Sequence, residues 1–250
     1  MSDQVVRLSV ACFLLLGVTL FFVSEGAEAD TIIVDENGNG DFTKIQDAID
    51  DASAGDKIRI WAGNYTENVD VDKRLEVIGN YTDGQHMTTI NGNWTGDVLS
   101  VTAKYVVLEK IRVINSGNNS GWSNHDEGIS IEDDWCEIEN VFVENNKFGI
   151  YAIDGVDNTF ISGSKIINNT QAGIFLRDGY ASVDNNTISG NYKGIDMYYA
   201  TDAEFYYNDI IENDEEGIHA DRASYQTYYG NNISNNGESG IILSASGEQS

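Results

Sequence analysis

The dipeptide Gly-Ile returns six times in the second half of the chain, beginning at Gly128, Gly149, Gly173, Gly194, Gly217 and Gly240, with steps of 21, 24, 21, 23 and 23 residues. A fixed period of this length means stacked repeats, each too small to bury its own apolar face. Helical repeats of roughly 33 residues or more are too long to fit. Leucine-rich repeats need a leucine ladder and usually a helical return, and neither is here. The residues after each Gly-Ile are rich in Ile, Tyr, Phe and Val, with Asn and Gly between them, which is the chemistry of short strands. The pattern predicts an all-β fold in which each repeat is one turn of a parallel β-helix, with roughly eight to ten coils in all.

Aligning the repeats gives a column of Ile129, Ile150, Ile174, Ile195, Ile218 and Ile241. Two residues on stand Ile131, Ala152, Leu176, Met197, Ala220 and Leu243. The residue between is mixed: Ser130, Tyr151, Phe175, Asp196, His219, Ile242. Strict alternation places the first two columns inside and the third outside. A second strand is expected on Phe142, Ile166, Ile188, Ile210 and Ile233, and a looser third on Ile138, Val183, Phe205 and Tyr228. Coils of three strands stack about 4.8 Å apart. Asn146, Asn169, Asn191, Asn213 and Asn236 precede the glycines at a spacing that suits bends. Asn tolerates left-handed backbone, and stacked Asn amides can bond from coil to coil. The glycine is expected to supply a positive φ that opens the next strand.

Residues 8–23, LSVACFLLLGVTLFFV, are an apolar run of signal-peptide length, followed by the A-x-A pattern Ala27-Glu28-Ala29. They predict a signal peptide over residues 1–29 and an exported domain over 30–250; the alternative is an uncleaved N-terminal anchor. Cleavage would leave Cys136 as the only cysteine, in a position that alternates with Ile138 and so predicts a buried thiol. It would also leave 38 acidic and 13 basic residues, a net charge of −25. Such a surface repels nucleic acid and anionic membranes. It fits either plain solvation or cation binding by aligned carboxylates, with calcium the candidate ion; no other cofactor is implied. Seven sequons, at Asn64, Asn80, Asn93, Asn118, Asn168, Asn185 and Asn232, are candidate glycosylation sites. Asn168 and Asn185 could instead serve in a ladder, which would hide them.

The N-terminal third reads differently. TIIV is a strand and VDENGNGD a turn cluster. Residues 42–52 then place Ile45, Ala48, Ile49 and Ala52 at helical spacing, with Thr43 and Gln46 set for a capping box. A short helix there would cover the open edge of the first coil. KIRIWAG, NYTENVDV and RLEVIGN follow as strands. The stretches VDENGNGDFTKIQDAID, GDKIRIWAGNYTENV and LEVIGN resemble the opening of pectin methylesterases and of other proteins of the pectate-lyase-like superfamily. The later Asn/Gly-Ile coils resemble carbohydrate-binding and sugar-hydrolysing β-helix repeats, including the NosD type. The resemblance implies a right-handed β-helix. It carries over no catalytic residue. The methylesterase runs Gln-Asp-Thr-Leu and Asp-Phe-Ile-Phe-Gly are missing, and only an isolated Asp133-Asp134 and a faint His125-Asp126-Glu127 echo other families.

One outward face stands apart. Tyr151, Phe175, Asp196 and His219 are followed two residues on by Glu132, Ile153, Arg177, Tyr198, Asp221 and Ser244. Exposed aromatics beside charged groups suit sugar rings and their hydroxyls. Tyr151, Phe175, Tyr198 and Trp122 are the candidate ligand-binding rings. Asp196 and Asp221, one coil apart, are candidate catalytic carboxylates, with Arg177 and His219 beside them. The longer segment 115–127 carries Trp122 and His125, which could wall a cleft or merely mark an irregular bend. The favoured function is a secreted or cell-surface protein that binds a polysaccharide or is structural. The alternative is a polysaccharide lyase or glycoside hydrolase. The last strand, at GIILS, predicts an open coil edge available to a second copy or to further chain.

Overall fold

The computed structural model describes residues 29–80, 87–118, 126–153 and 155–244. They form three parallel sheets of nine, eight and eight strands wound into a β-helix. Sheet I begins with Thr31–Val34 and Lys57–Ile60 and ends at Thr227–Tyr229; sheet II runs from Gly63–Thr66 to Asn232–Ser234. Sheet III runs from Val69–Val71 to Ile241–Ser244 and has the longest strands, such as Ala172–Arg177 and Lys193–Tyr198. Each coil visits I, II and III in turn. NYTENVDV, expected as one strand, bends at Glu67 and Asn68 and splits between sheets II and III.

The interior columns of sheet III match the expected register: Ile129, Ile150, Ile174, Ile195, Ile218 and Ile241 lie one above another. The sheet I column gains Ile161 between Ile138 and Val183. In sheet II the expectation for Phe142 is wrong by one residue. Val143 pairs with Ile166, while Phe142 pairs with Lys165 and faces out under the Arg112 guanidinium. A Phe next to a Val offers either parity, and the shape of the bend decides. Cys136 is fully buried, and burial pushes its thiol up to about 11.

The asparagine ladder is present and divides the labour expected of single residues. Asn146, Asn169, Asn191, Asn213 and Asn236 point inward. The side-chain oxygen of each from Asn169 onward accepts from the backbone N–H of the ladder residue one coil earlier, at 3.0–3.1 Å. The left-handed backbone belongs instead to the preceding residue, as at Asn145, Asn168 and Asn235. That is why Asn168 and Asn185 are exposed rather than hidden. All seven sequon asparagines are exposed. A second ladder, at the bend from sheet I to sheet II, runs through Asn186, Asn208 and Asn231 and starts from Ser164.

The Gly-Ile glycines do not have positive φ, contrary to expectation. They are required by close approach. A Cβ on Gly149 would stand 2.3 Å from the Gly173 carbonyl oxygen, and one on Gly173 would stand 2.7 Å from the Asn191 side-chain nitrogen. Only hydrogen fits between a ladder amide and the next coil.

The predicted helix spans Ile45–Asp51 and lays Ile45, Ala48 and Ile49, all fully buried, over the first coil. Its cap is not the local box. Lys44 occupies the N-cap and makes no side-chain cap bond. Glu67, from the split between sheets II and III, instead accepts from the N–H groups of Ile45 and Gln46 at 3.0 and 3.1 Å. Gln46 is bonded to the Asp70 backbone, so it does not serve a box. Removing the distant carboxylate with Glu67→Ala should cost about 1–2 kcal/mol, whereas Thr43→Ala should be nearly neutral. Comparison of the two urea midpoints checks which residue caps.

Candidate functional site

The outward face of sheet III changes character along the helix. At the early coils it is polar and acidic. Glu127 is buried beside Asp97, which accepts from its backbone N–H at 2.8 Å; burial, then the neighbouring carboxylate, push the Glu127 carboxyl up to about 10. The adjacent Asp126 is fully buried, with the Lys147 ammonium 3.7 Å away.

The next coils form an apolar island. Tyr151 and Phe175 point outward as expected but are not exposed, at 8% and 9%. Their rings lie face to face, 4.8 Å between centroids and 7° from parallel, and Phe148 meets both edge-on. Ala172, Ile153 and Tyr198 complete the cluster. Identical register on neighbouring coils stacks equal positions, so aromatic side chains there cover one another before any ligand can. The expectation of two open sugar platforms is corrected on this point.

The later coils bring the charged candidates together. Asp196 and His219 are direct neighbours across the strands, and Asp196 Oδ1 lies 2.7 Å from His219 Nδ1. Asp221 is in register with Tyr198, not with Asp196, and lies 3.9 Å from the Arg222 guanidinium. Asp196 is therefore engaged by histidine rather than by the second carboxylate. Arg177 is in register with Tyr198 on the other side. Trp122 and His125 lie outside the described residues, as do residues 8–23. Among the described residues no three His, Cys, Asp or Glu side chains converge on a metal position, and no helix is long and apolar enough to cross a membrane.

Two residues that sequence reasoning missed dominate this end. Arg222 donates to the hydroxyls of Tyr198 and Tyr199, and its guanidinium lies 5.6 and 5.1 Å from their ring centroids. The two tyrosines meet edge-on at 4.5 Å. Tyr199 and Arg222 both have left-handed backbone, at φ 59° and 54°. They begin the bend from sheet III to sheet I, one step past the last residues that alternation could assign. A Tyr-Tyr and an Asp-Arg at equal distances from successive Gly-Ile pairs were the signal to follow.

Residues 106–250 match the family described as the right handed beta helix region. The chain belongs to this family. It is a right-handed parallel β-helix, as the resemblance implied. A pectin methylesterase mutant in complex with a hexasaccharide superposes with a TM-score of 0.54 at 15% identity, over 79% of this chain and 80% of that one. The periplasmic alginate epimerase AlgG gives 0.55 at 14% identity, over 86% of this chain and 55% of the epimerase. Pectate lyase Pel9A gives 0.52 at 11%, over 88% and 78%. At such identities the likeness is one of fold. No curated protein matches the sequence.

Proposed function

We propose that this β-helix protein is exported and binds a polysaccharide at the corner where sheet III turns into sheet I. The observation that carries the reading is the Tyr198–Tyr199–Arg222 cluster. It joins ring faces, phenol hydroxyls and a guanidinium on two neighbouring coils, beside Asp221 and the Asp196–His219 pair. Rings stack on sugar C–H faces while the polar groups meet hydroxyls or a carboxylate. The hexasaccharide complex of the similarly folded pectin methylesterase supports a glycan as the ligand class. Export rests on the signal-peptide pattern of residues 8–29.

A second reading, a polysaccharide lyase or glycoside hydrolase, is favoured by one contact. Asp196 holds His219 through Nδ1, which directs Nε2 to any proton transfer. Both Tyr199→Asn and Arg222→Asn keep a residue type that accepts left-handed backbone. Together they should abolish retention on insoluble polysaccharides, tested as a panel of uronic-acid and neutral chains, without shifting the melting temperature. Retention equal to the parent's removes the corner from the binding site. Release of reducing ends or unsaturated sugars by the parent, lost in Asp196→Asn, would replace binding by catalysis as the function.

A further inference from the structure

Among the exposed aromatic side chains, Trp94, Tyr105, Trp135, Tyr199, Tyr207 and Tyr225 all sit on left-handed backbone. That conformation favours Gly, Asn or Asp, and for bulky residues it is an outlier. Three of the six, Tyr105, Trp135 and Tyr225, occupy equivalent positions of the bend from sheet III to sheet I, at φ 59°, 62° and 63°. On two of the coils between Trp135 and Tyr225 the same left-handed position is filled by Asn158 and Asp202, the residue types that suit it. The backbone conformation therefore gives no reason for a ring there.

Tyr105 and Trp135 stand on adjacent coils with 6.2 Å between ring centroids and 21° between planes. Tyr151 and Phe175 close to 4.8 Å and bury each other; this pair does not, and the two residues remain 54% and 44% exposed. Beside them, Lys104 lies 3.6 Å from Asp133 and 2.7 Å from Asp134. The Asp157 backbone N–H, and then Lys104, hold the Asp134 carboxyl below its usual range. The rings are thus flanked by hydrogen-bonding groups whose ammonium is already held between two carboxylates, which disfavours a uronate.

We propose that Tyr105 and Trp135 form a second glycan subsite that takes neutral sugar residues, separate from the Tyr199–Arg222 corner. The rings supply the apolar faces, and Lys104, Asp133 and Asp134 meet the hydroxyls. A neutral ligand suits a surface whose net charge is strongly negative and whose neighbouring cation is engaged.

The test uses the full chain and titrates tryptophan fluorescence with neutral β-1,4-linked gluco-, manno- and xylo-hexasaccharides, with hexagalacturonate alongside. Binding is confirmed by calorimetry, because one variant removes a reporter. At least one neutral hexasaccharide should bind the parent. Tyr105→Asn with Trp135→Asn should weaken that binding at least tenfold while leaving the melting temperature unchanged or raised, since Asn fits the backbone. Tyr199→Asn with Arg222→Asn should leave it within twofold, so failure of the corner reading and failure of this one are separate results. Binding of no neutral sugar by the parent overturns the proposal, as does equal binding by the Tyr105/Trp135 variant. Concentration-dependent sedimentation of the parent, lost in that variant, would assign the rings to contact between copies and overturn it equally.

Discussion

Ile195→Asp is expected to lower stability by on the order of 4–5 kcal/mol, while Asp196→Ala, one residue on, should cost about 1 kcal/mol or less. Ile195 is fully buried and stacked between Ile174 and Ile218. Its loss removes about 1.5–3 kcal/mol of apolar burial. The introduced carboxyl meets only hydrocarbon above and below, which adds desolvation of similar size. Asp196 faces out and loses one contact, to His219. The interior carboxyl must ionise late, so its folded pKa lies above the unfolded value of about 3.9. The folded state then binds the proton more tightly, and the penalty grows as pH rises. The deficit relative to the parent should narrow as pH is lowered towards about 4. Urea midpoints of both variants at two pH values check this. Equal destabilisation by the two substitutions would mean the in–out register is wrong.

That register was legible because the interior of a β-helix repeats one environment many times. A single Ile predicts little, but six at the same offset from Gly fix both the coil and the parity of sheet III. Where the column is short or mixed, the same reasoning slips, as at Phe142 and Val143. The capping helix was legible from its apolar spacing. Its cap was not, because Glu67 comes from 22 residues away and local pattern cannot see it.

The candidate site was legible in part. Alternation placed Tyr151, Phe175, Asp196 and His219 outside correctly. It could not distinguish facing outward from being exposed, because the cover comes from like rings on the coils above and below. The bends escaped for another reason. Period two ends where a strand ends, and the bends hold Tyr105, Trp135, Tyr199 and Arg222 in backbone conformations that residue type argues against.

Gly194→Ala should be among the most damaging single-methyl additions, costing about 3 kcal/mol, at the upper end for overpacking. The new Cβ would stand 2.3 Å from the Gly217 carbonyl oxygen, 2.7 Å from Ile210 Cγ2 and 3.0 Å from the Asn213 side-chain nitrogen. None of these can yield cheaply. The Gly217 carbonyl accepts from the Ile195 N–H at 2.9 Å. The Asn213 amide is held by the Asn236 oxygen and the Ile188 carbonyl. Relief therefore requires separating two coils, which opens the ladder and the Ile column together. Gly38 is the control. It has φ +80°, and a Cβ added there would meet nothing within 4 Å. Asn tolerates that backbone better than other side chains, so Gly38→Asn should cost no more than about 1 kcal/mol. The two glycines test opposite reasons for the same residue. If Gly194→Ala proves as mild as Gly38→Asn in thermal melts, the coils do not approach as closely as the structure has them. The repeated Gly-Ile phrase would then need a cause other than the ladder amide pressing on the next turn.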